Sequence, residues 1–142
     1  MIDKDFPDVK FNKLNEINES LLKRVVVVSK YKDKWVFCKH KERGTWEIPG
    51  GKIEVNEKPL DAAKRELYEE TGAKKFEIKP ICIYTIFKPG LLCYATINDF
   101  EDLPEYEIEE IDFFDDIPTN LSYSKVHPKL FAKVKEEIEK IL

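Results

Sequence analysis

What this chain lacks narrows its class first. No apolar run approaches the roughly 18 residues needed to span a bilayer. The opening stretch MIDKDFPDVKFNKLNE holds no apolar core of signal-peptide length, so a cytoplasmic location with no membrane partner is expected. Cysteine is sparse: Cys38, Cys82 and Cys93 are odd in number, widely spaced, and each sits in an apolar strand-like run. That excludes a disulfide framework and points to buried thiols. There is no excess of basic charge. The formal net charge of -4 gives no reason to expect a protein that coats nucleic acid. Internal repeats, linkers and low-complexity segments are also missing. What remains is a 142-residue chain, 42% hydrophobic and 37% charged, read as a single domain over residues 1–142 with enough length to bury an ordinary core.

Periodicity supplies the elements. Weak alternation around Val9, Phe11 and Leu14 allows a short edge strand. Leu21 to Val28 is β-branched and too short for a helix of such apolarity, so it reads as a strand buried on both faces. Tyr31 to Lys34 turns the chain and Trp35 to Lys41 returns it as a hairpin arm. A polar loop, Glu42 to Thr45, then delivers Trp46-Glu47-Ile48-Pro49-Gly50-Gly51, a tight turn with exposed carbonyls. Pro59 suits a first helical turn and Gly72 a C-terminal stop, so a helix is expected from about Lys58 to Thr71, with Leu60, Ala63 and Leu67 as its core stripe. Two more β-rich runs, Phe76 to Phe87 and Leu91 to Ile97, are separated by the turn signal Lys88-Pro89-Gly90. A further apolar run spans Ile108 to Phe114. From Pro128 to Leu142, Leu130, Val134, Ile138 and Ile141 recur at helical spacing. Strands, a helix, strands and a last helix give an α/β fold with a mixed sheet between helices.

The stretch with chemistry in it is GKIEVNEKPLDAAKRELYEETGA, residues 51–73. Glu66, Glu69 and Glu70 stand at i, i+3 and i+4, which puts three carboxylates on one face of a helix. Each like-charged pair costs a helix roughly 0.2–0.5 kcal/mol, so a cation among the oxygens is expected. Hard carboxylate ligands suit Mg²⁺ or Mn²⁺. Alone, Glu-x-x-Glu-Glu would read as a solvated face. Arg65, Glu57 and both bracketing glycines stand in fixed register with it, a coincidence on the order of once in ten million chains at average composition. Arg65 has no place in the apolar stripe and is expected to pair with Glu57, holding the loop against the helix.

Gly51-x5-Glu57-x7-Arg65-Glu66-Leu67-x-Glu69-Glu70-x-Gly72-Ala73 resembles the Nudix box at every fixed position, with Ala73 small where a bulkier aliphatic is usual. The resemblance implies an α/β/α Nudix sandwich over roughly residues 22–141. It also implies a Mg²⁺-dependent hydrolase of a nucleoside diphosphate linked to some other group. Glu66, Glu69 and Glu70 would be metal ligands, joined by the main-chain oxygen of Gly50. Glu66 is the best candidate to position or deprotonate water, with Glu57 and Arg65 behind it. A further carboxylate from outside the box is expected at Glu110, with Glu107 second. Lys39 and His40 are candidates to meet substrate phosphates, although alternation sends neighbours to opposite faces. His127 reads as a turn residue.

For substrate, the length and the run Ile117-Pro118-Thr119-Asn120 are similar to the branch that removes pyrophosphate from nucleoside triphosphates, including oxidised ones such as 8-oxo-dGTP. Asn120 would read the base there, against a simpler role in capping or a turn. Three alternatives stand beside it. One is an ADP-ribose pyrophosphatase, suggested by Pro89 but without the acidic residue usual after that turn. Another is an RNA 5′-pyrophosphohydrolase, which basic charge flanking the cleft would favour. The third is a non-catalytic nucleotide-binding module, disfavoured by an intact set of box carboxylates. The expected partner is a small nucleotide, with nucleic acid entering only as an RNA 5′ end.

Overall fold

The computed structural model describes residues 8–101 and 108–141, with the side chains of Ile108, Glu109 and Ile141 left aside. Eight strands among these form one mixed sheet: β1 (Lys10–Asn12), β2 (Arg24–Tyr31), β3 (Lys34–His40), β4 (Trp46–Glu47), β5 (Gly50–Lys52), β6 (Ala73–Ile86), β7 (Lys88–Phe100) and β8 (Ile108–Phe114). The path runs β1-β6-β7-β2-β3-β4, with β5 on β2 and β8 on β3. β2 and β7 pair in parallel and every other named pair is antiparallel.

Helix α1 (Pro59–Thr71) packs on one face and α2 (His127–Ile141) on the other. β2 explains how both cores close. Val25 and Val27 join the cluster of Ala62, Ala63 and Leu67 from α1, while Val26 and Val28 join Leu130, Phe131 and Val134 from α2. An unbroken valine run is what a strand buried on both faces requires. Each such side chain stabilises the fold by about 1.5–3 kcal/mol on burial. The result is the α/β/α sandwich anticipated from the Nudix resemblance. All three thiols are free and buried.

Two local expectations change. β2 begins at Arg24 rather than Leu21. The hairpin expected to turn at Lys88-Pro89-Gly90 turns one position earlier, at Phe87 (φ 64°), and Pro89 and Gly90 lie inside β7 opposite Thr85 and Tyr84. Gly90 is there for space, since a Cβ would sit 2.6 Å from Tyr84 Cζ. Room for a buried ring outweighs the local turn preference of Pro-Gly.

Candidate functional site

α1 starts with Pro59 at its first turn and ends on Gly72 in the left-handed conformation, φ 78°. Its Ala62, Ala63 and Leu67 are fully buried. That leaves Glu66 and Glu70 on the flank facing β5, where the missing side chain of Gly51 makes room for Glu66 and the missing side chain of Gly50 lets β5 lie close on β2. A Cβ on Gly51 would collide with the Glu66 carboxylate, and one on Gly50 would press on the Val25 carbonyl at 2.5 Å. The Gly50 amide donates to Glu70 Oε1 at 2.6 Å. Beside the space at Gly51 opens a cleft of about 710 Å³, lined by Glu66, Glu69 and Glu70 among others.

Arg65 gathers the rest. Its Nε donates to Glu57 Oε2 at 2.8 Å and its Nη2 to Glu57 Oε1 at 3.0 Å, with a further bond from Nη2 to the Lys52 carbonyl at 3.0 Å. Nη1 lies 3.3 Å from both Glu66 Oε1 and Glu69 Oε1. The repulsion expected of the three carboxylates is therefore partly offset inside the chain. Among the described residues no three or more His, Cys, Asp or Glu side chains stand close enough to hold a metal ion as arranged here.

The remaining mismatch falls on two groups. Burial, reinforced by Glu69 and opposed by Arg65, pushes the Glu66 carboxyl up to about 7. Burial pushes Glu70 up to about 8, against the Gly50 amide, with Glu66, Glu47 and Glu69 adding to the rise. Glu57 goes the other way, lowered chiefly by its hydrogen bonds from Arg65.

The opposite wall is built by residues 120–127 bound to β4. Trp46 N donates to the Asn120 carbonyl at 2.8 Å and Ser122 N to the Trp46 carbonyl at 3.0 Å. Ser122 Oγ donates to Glu47 Oε2 at 2.7 Å, while Arg43 donates Nε to Glu47 Oε2 at 2.6 Å and Nη2 to Glu47 Oε1 at 3.2 Å. His127, which the sequence suggested as a turn residue, is instead the first residue of α2 and buried. Its Nδ1 accepts from the Ile48 amide at 3.2 Å, and burial pushes its pKa down to about 4.

The other sequence candidates scatter. His40 lines the cleft. Lys39 lies 2.8 Å from Glu110, its cross-strand partner, so both are engaged on the β3–β8 surface and neither lines the cleft. Asn120 is exposed and does not line it either. Glu107 lies outside the described residues. Conversely, Arg24, Arg43, Lys52, Lys88, Tyr84, Phe87 and Tyr123 line the cleft without having been singled out. Arg24, Lys52, Gly90 and Tyr84 form one cross-strand row. Alternation with the buried valines could have assigned Arg24 a face, but nothing in the sequence pairs it with Lys52 or Tyr84.

Residues 18–91 match the model of the NUDIX domain. YtkD of Bacillus subtilis strain 168, a candidate 8-oxo-dGTP diphosphatase, is 33% identical over 111 residues, covering 72% of this chain and 68% of that protein. An RNA pyrophosphohydrolase of Bartonella henselae is 61% identical over 33 residues, but these are 23% of this chain and only 19% of that protein. The crystal structure of the Bacillus subtilis pyrophosphohydrolase BsRppH superposes with a TM-score of 0.76 at 27% identity, covering 90% of each chain. With the box intact on α1 and the sandwich around it, the chain belongs to the Nudix family of hydrolases.

Proposed function

We propose that this Nudix hydrolase removes pyrophosphate from a 5′-triphosphate, with the 5′ end of RNA as its preferred substrate. The observation that carries this reading is the lining of the cleft. Arg24, Arg43, Lys52 and Lys88 line the same cleft as the carboxylates, while Phe87, 70% exposed, and Tyr123 add aromatic surface. Cations around an acidic centre suit a polyphosphate. Exposed rings suit stacking of unpaired bases, and more of them are useful when the substrate carries more than one base. The likeness to BsRppH over 90% of both chains supports pyrophosphohydrolase chemistry, and the local identity with the Bartonella enzyme supports an RNA substrate. Free triphosphates such as 8-oxo-dGTP are the second reading, supported by the likeness to YtkD.

A divalent ion fits the donor set. The oxygens of Glu66, Glu69 and Glu70 and the Gly50 carbonyl are hard ligands, and the two carboxyls whose pKa burial raises are groups a dication would ionise. Such an ion supplies charge neutralisation on the phosphates and a more acidic water. The chain's own part is positional. Arg65 fixes Glu57 and the loop before α1, Gly51 leaves room for Glu66, and the Gly50 amide holds Glu70. Glu66 is the proposed residue to orient the attacking water. Arg24 and Lys52 stand on the cleft face where phosphate oxygens would lie.

The test is kcat/KM with Mg²⁺ for a 5′-triphosphorylated oligoribonucleotide, the common nucleoside triphosphates, 8-oxo-dGTP and ADP-ribose. The oligonucleotide is expected to exceed every free nucleotide by at least about tenfold, which corresponds to ~1.4 kcal/mol of added transition-state binding. Faster turnover of 8-oxo-dGTP than of RNA would turn the assignment to the second reading.

A further inference from the structure

The wall facing the box carries a charged arrangement for which the family motif gives no role. Glu47 is buried at 8% exposure and held by Arg43 Nε at 2.6 Å, Arg43 Nη2 at 3.2 Å and Ser122 Oγ at 2.7 Å. Ser122 is in turn bonded to Thr45 Oγ1. The Arg43 guanidinium also rests 5.8 Å from the centre of the Tyr123 ring. Glu47 is buried while the Arg43 side chain is 35% exposed, so the pair gives little net stability, with desolvation of one partner and solvent screening of the other offsetting the attraction. Its stronger effect is to fix direction. The Nε–Nη2 edge of the guanidinium is taken by Glu47, the ring supports a face, and Nη1 has no partner among the described residues. Arg43 lines the same cleft as Glu66, Glu69 and Glu70.

We propose that Arg43 is a substrate-binding residue whose Nη1 takes a non-bridging phosphate oxygen, and that Glu47, steadied by Ser122, is its positioning residue. This rests on the phosphoanhydride reading above. Arg43 pre-organised in this way meets the developing charge with a group already in place. Lysine cannot substitute, since one ammonium cannot grip both Glu47 oxygens in the plane of a rigid fork and keep a donor aimed at the phosphate. The Arg43–Glu47 contact is a property of the neighbouring loop and strand, so it persists whichever base the substrate carries.

The test compares wild type, Arg43→Ala, Arg43→Lys and Glu47→Gln in the full chain with Mg²⁺. On a 5′-triphosphorylated oligoribonucleotide, Arg43→Ala is expected to lose about 100-fold in kcat/KM and Arg43→Lys at least about tenfold. Added guanidinium ion should raise the rate of Arg43→Ala several-fold and leave wild type unchanged, which a role confined to loop packing would not produce. Glu47→Gln should lose less than Arg43→Ala. Arg43→Lys at the wild-type rate overturns the assignment, as does Arg43→Ala that folds and turns over normally. Calorimetric binding of Mg²⁺-pyrophosphate separates this inference from the function beneath it. Affinity tenfold weaker in Arg43→Lys supports the contact even if RNA is not the substrate, and equal affinity refutes it even if RNA is cleaved.

Discussion

The carboxylates gathered around Arg65 of helix α1 stand in opposite states. Toward the preceding loop, Glu57 has both oxygens on Arg65 and is held below its ordinary range. Toward the cleft, Glu66 and Glu70 are pushed up to about 7 and 8 by burial that no full ion pair offsets. A single family motif thus contains one side that is electrostatically finished and another that is left short of positive charge. The first holds the loop to the helix. The second is the side proposed to take cation and phosphate, and burial raises both of its carboxyls above their ordinary range.

The largest effect that would break this contrast comes from the cleft side. Glu70→Gln is expected to lower kcat on the order of 10²–10³-fold. Its metal-free melting temperature should hold or rise, because an amide has no charge to desolvate and can still accept from the Gly50 amide. Arg65→Ala should do the reverse in stability, costing about 1–3 kcal/mol through the lost charge-assisted bonds to Glu57, measurable by denaturant unfolding. Equal stability losses in the two variants would erase the distinction.

On the far wall, His127→Ala leaves the buried Ile48 amide without its acceptor and should cost about 1–2 kcal/mol. His127→Asn can offer an oxygen near the Nδ1 position and should recover part of that in the same unfolding measurement.

The smallest effect is on pH. For Glu66 and Glu70 the folded pKa lies above the unfolded one, so the folded state binds more protons between about 4.5 and 8. Metal-free stability from this source therefore falls as pH rises through that window. His127 has the opposite sign, since its folded pKa of about 4 lies below 6.5 and its contribution is lost as pH falls from 6.5 toward 4. Urea midpoints in chelator should trace both slopes, and Mg²⁺ should raise the midpoint more at pH 8 than at pH 6 if it binds the ionised pair.

What the sequence made legible was local. Glu66, Glu69 and Glu70 share a helical face because spacing alone dictates it. The valines of β2 serve two cores because an unbroken β-branched run has no other use in a sheet with helices on both faces. What stayed hidden was decided by partners far along the chain. Pro89-Gly90 reads as a turn until Tyr84 claims the space above Gly90. Glu110 reads as a spare carboxylate until β3 and β8 bring Lys39 to 2.8 Å. His127 precedes a proline, which suggests a turn, yet its bond goes to an amide 79 residues away. The cations of the cleft come from β2, β5, β7 and the loop before β4, and no sequence spacing links them.

Glu66 reaches the cleft through the space where Gly51 has no side chain. Gly51 does not need a left-handed backbone, so Gly51→Ala should fold and melt within a few degrees of wild type while displacing the Glu66 carboxylate. Pyrophosphate release from a 5′-triphosphorylated oligoribonucleotide is then expected to fall about 100-fold, the scale of a misplaced catalytic group. A folded Gly51→Ala protein releasing pyrophosphate at the wild-type rate would contradict the account.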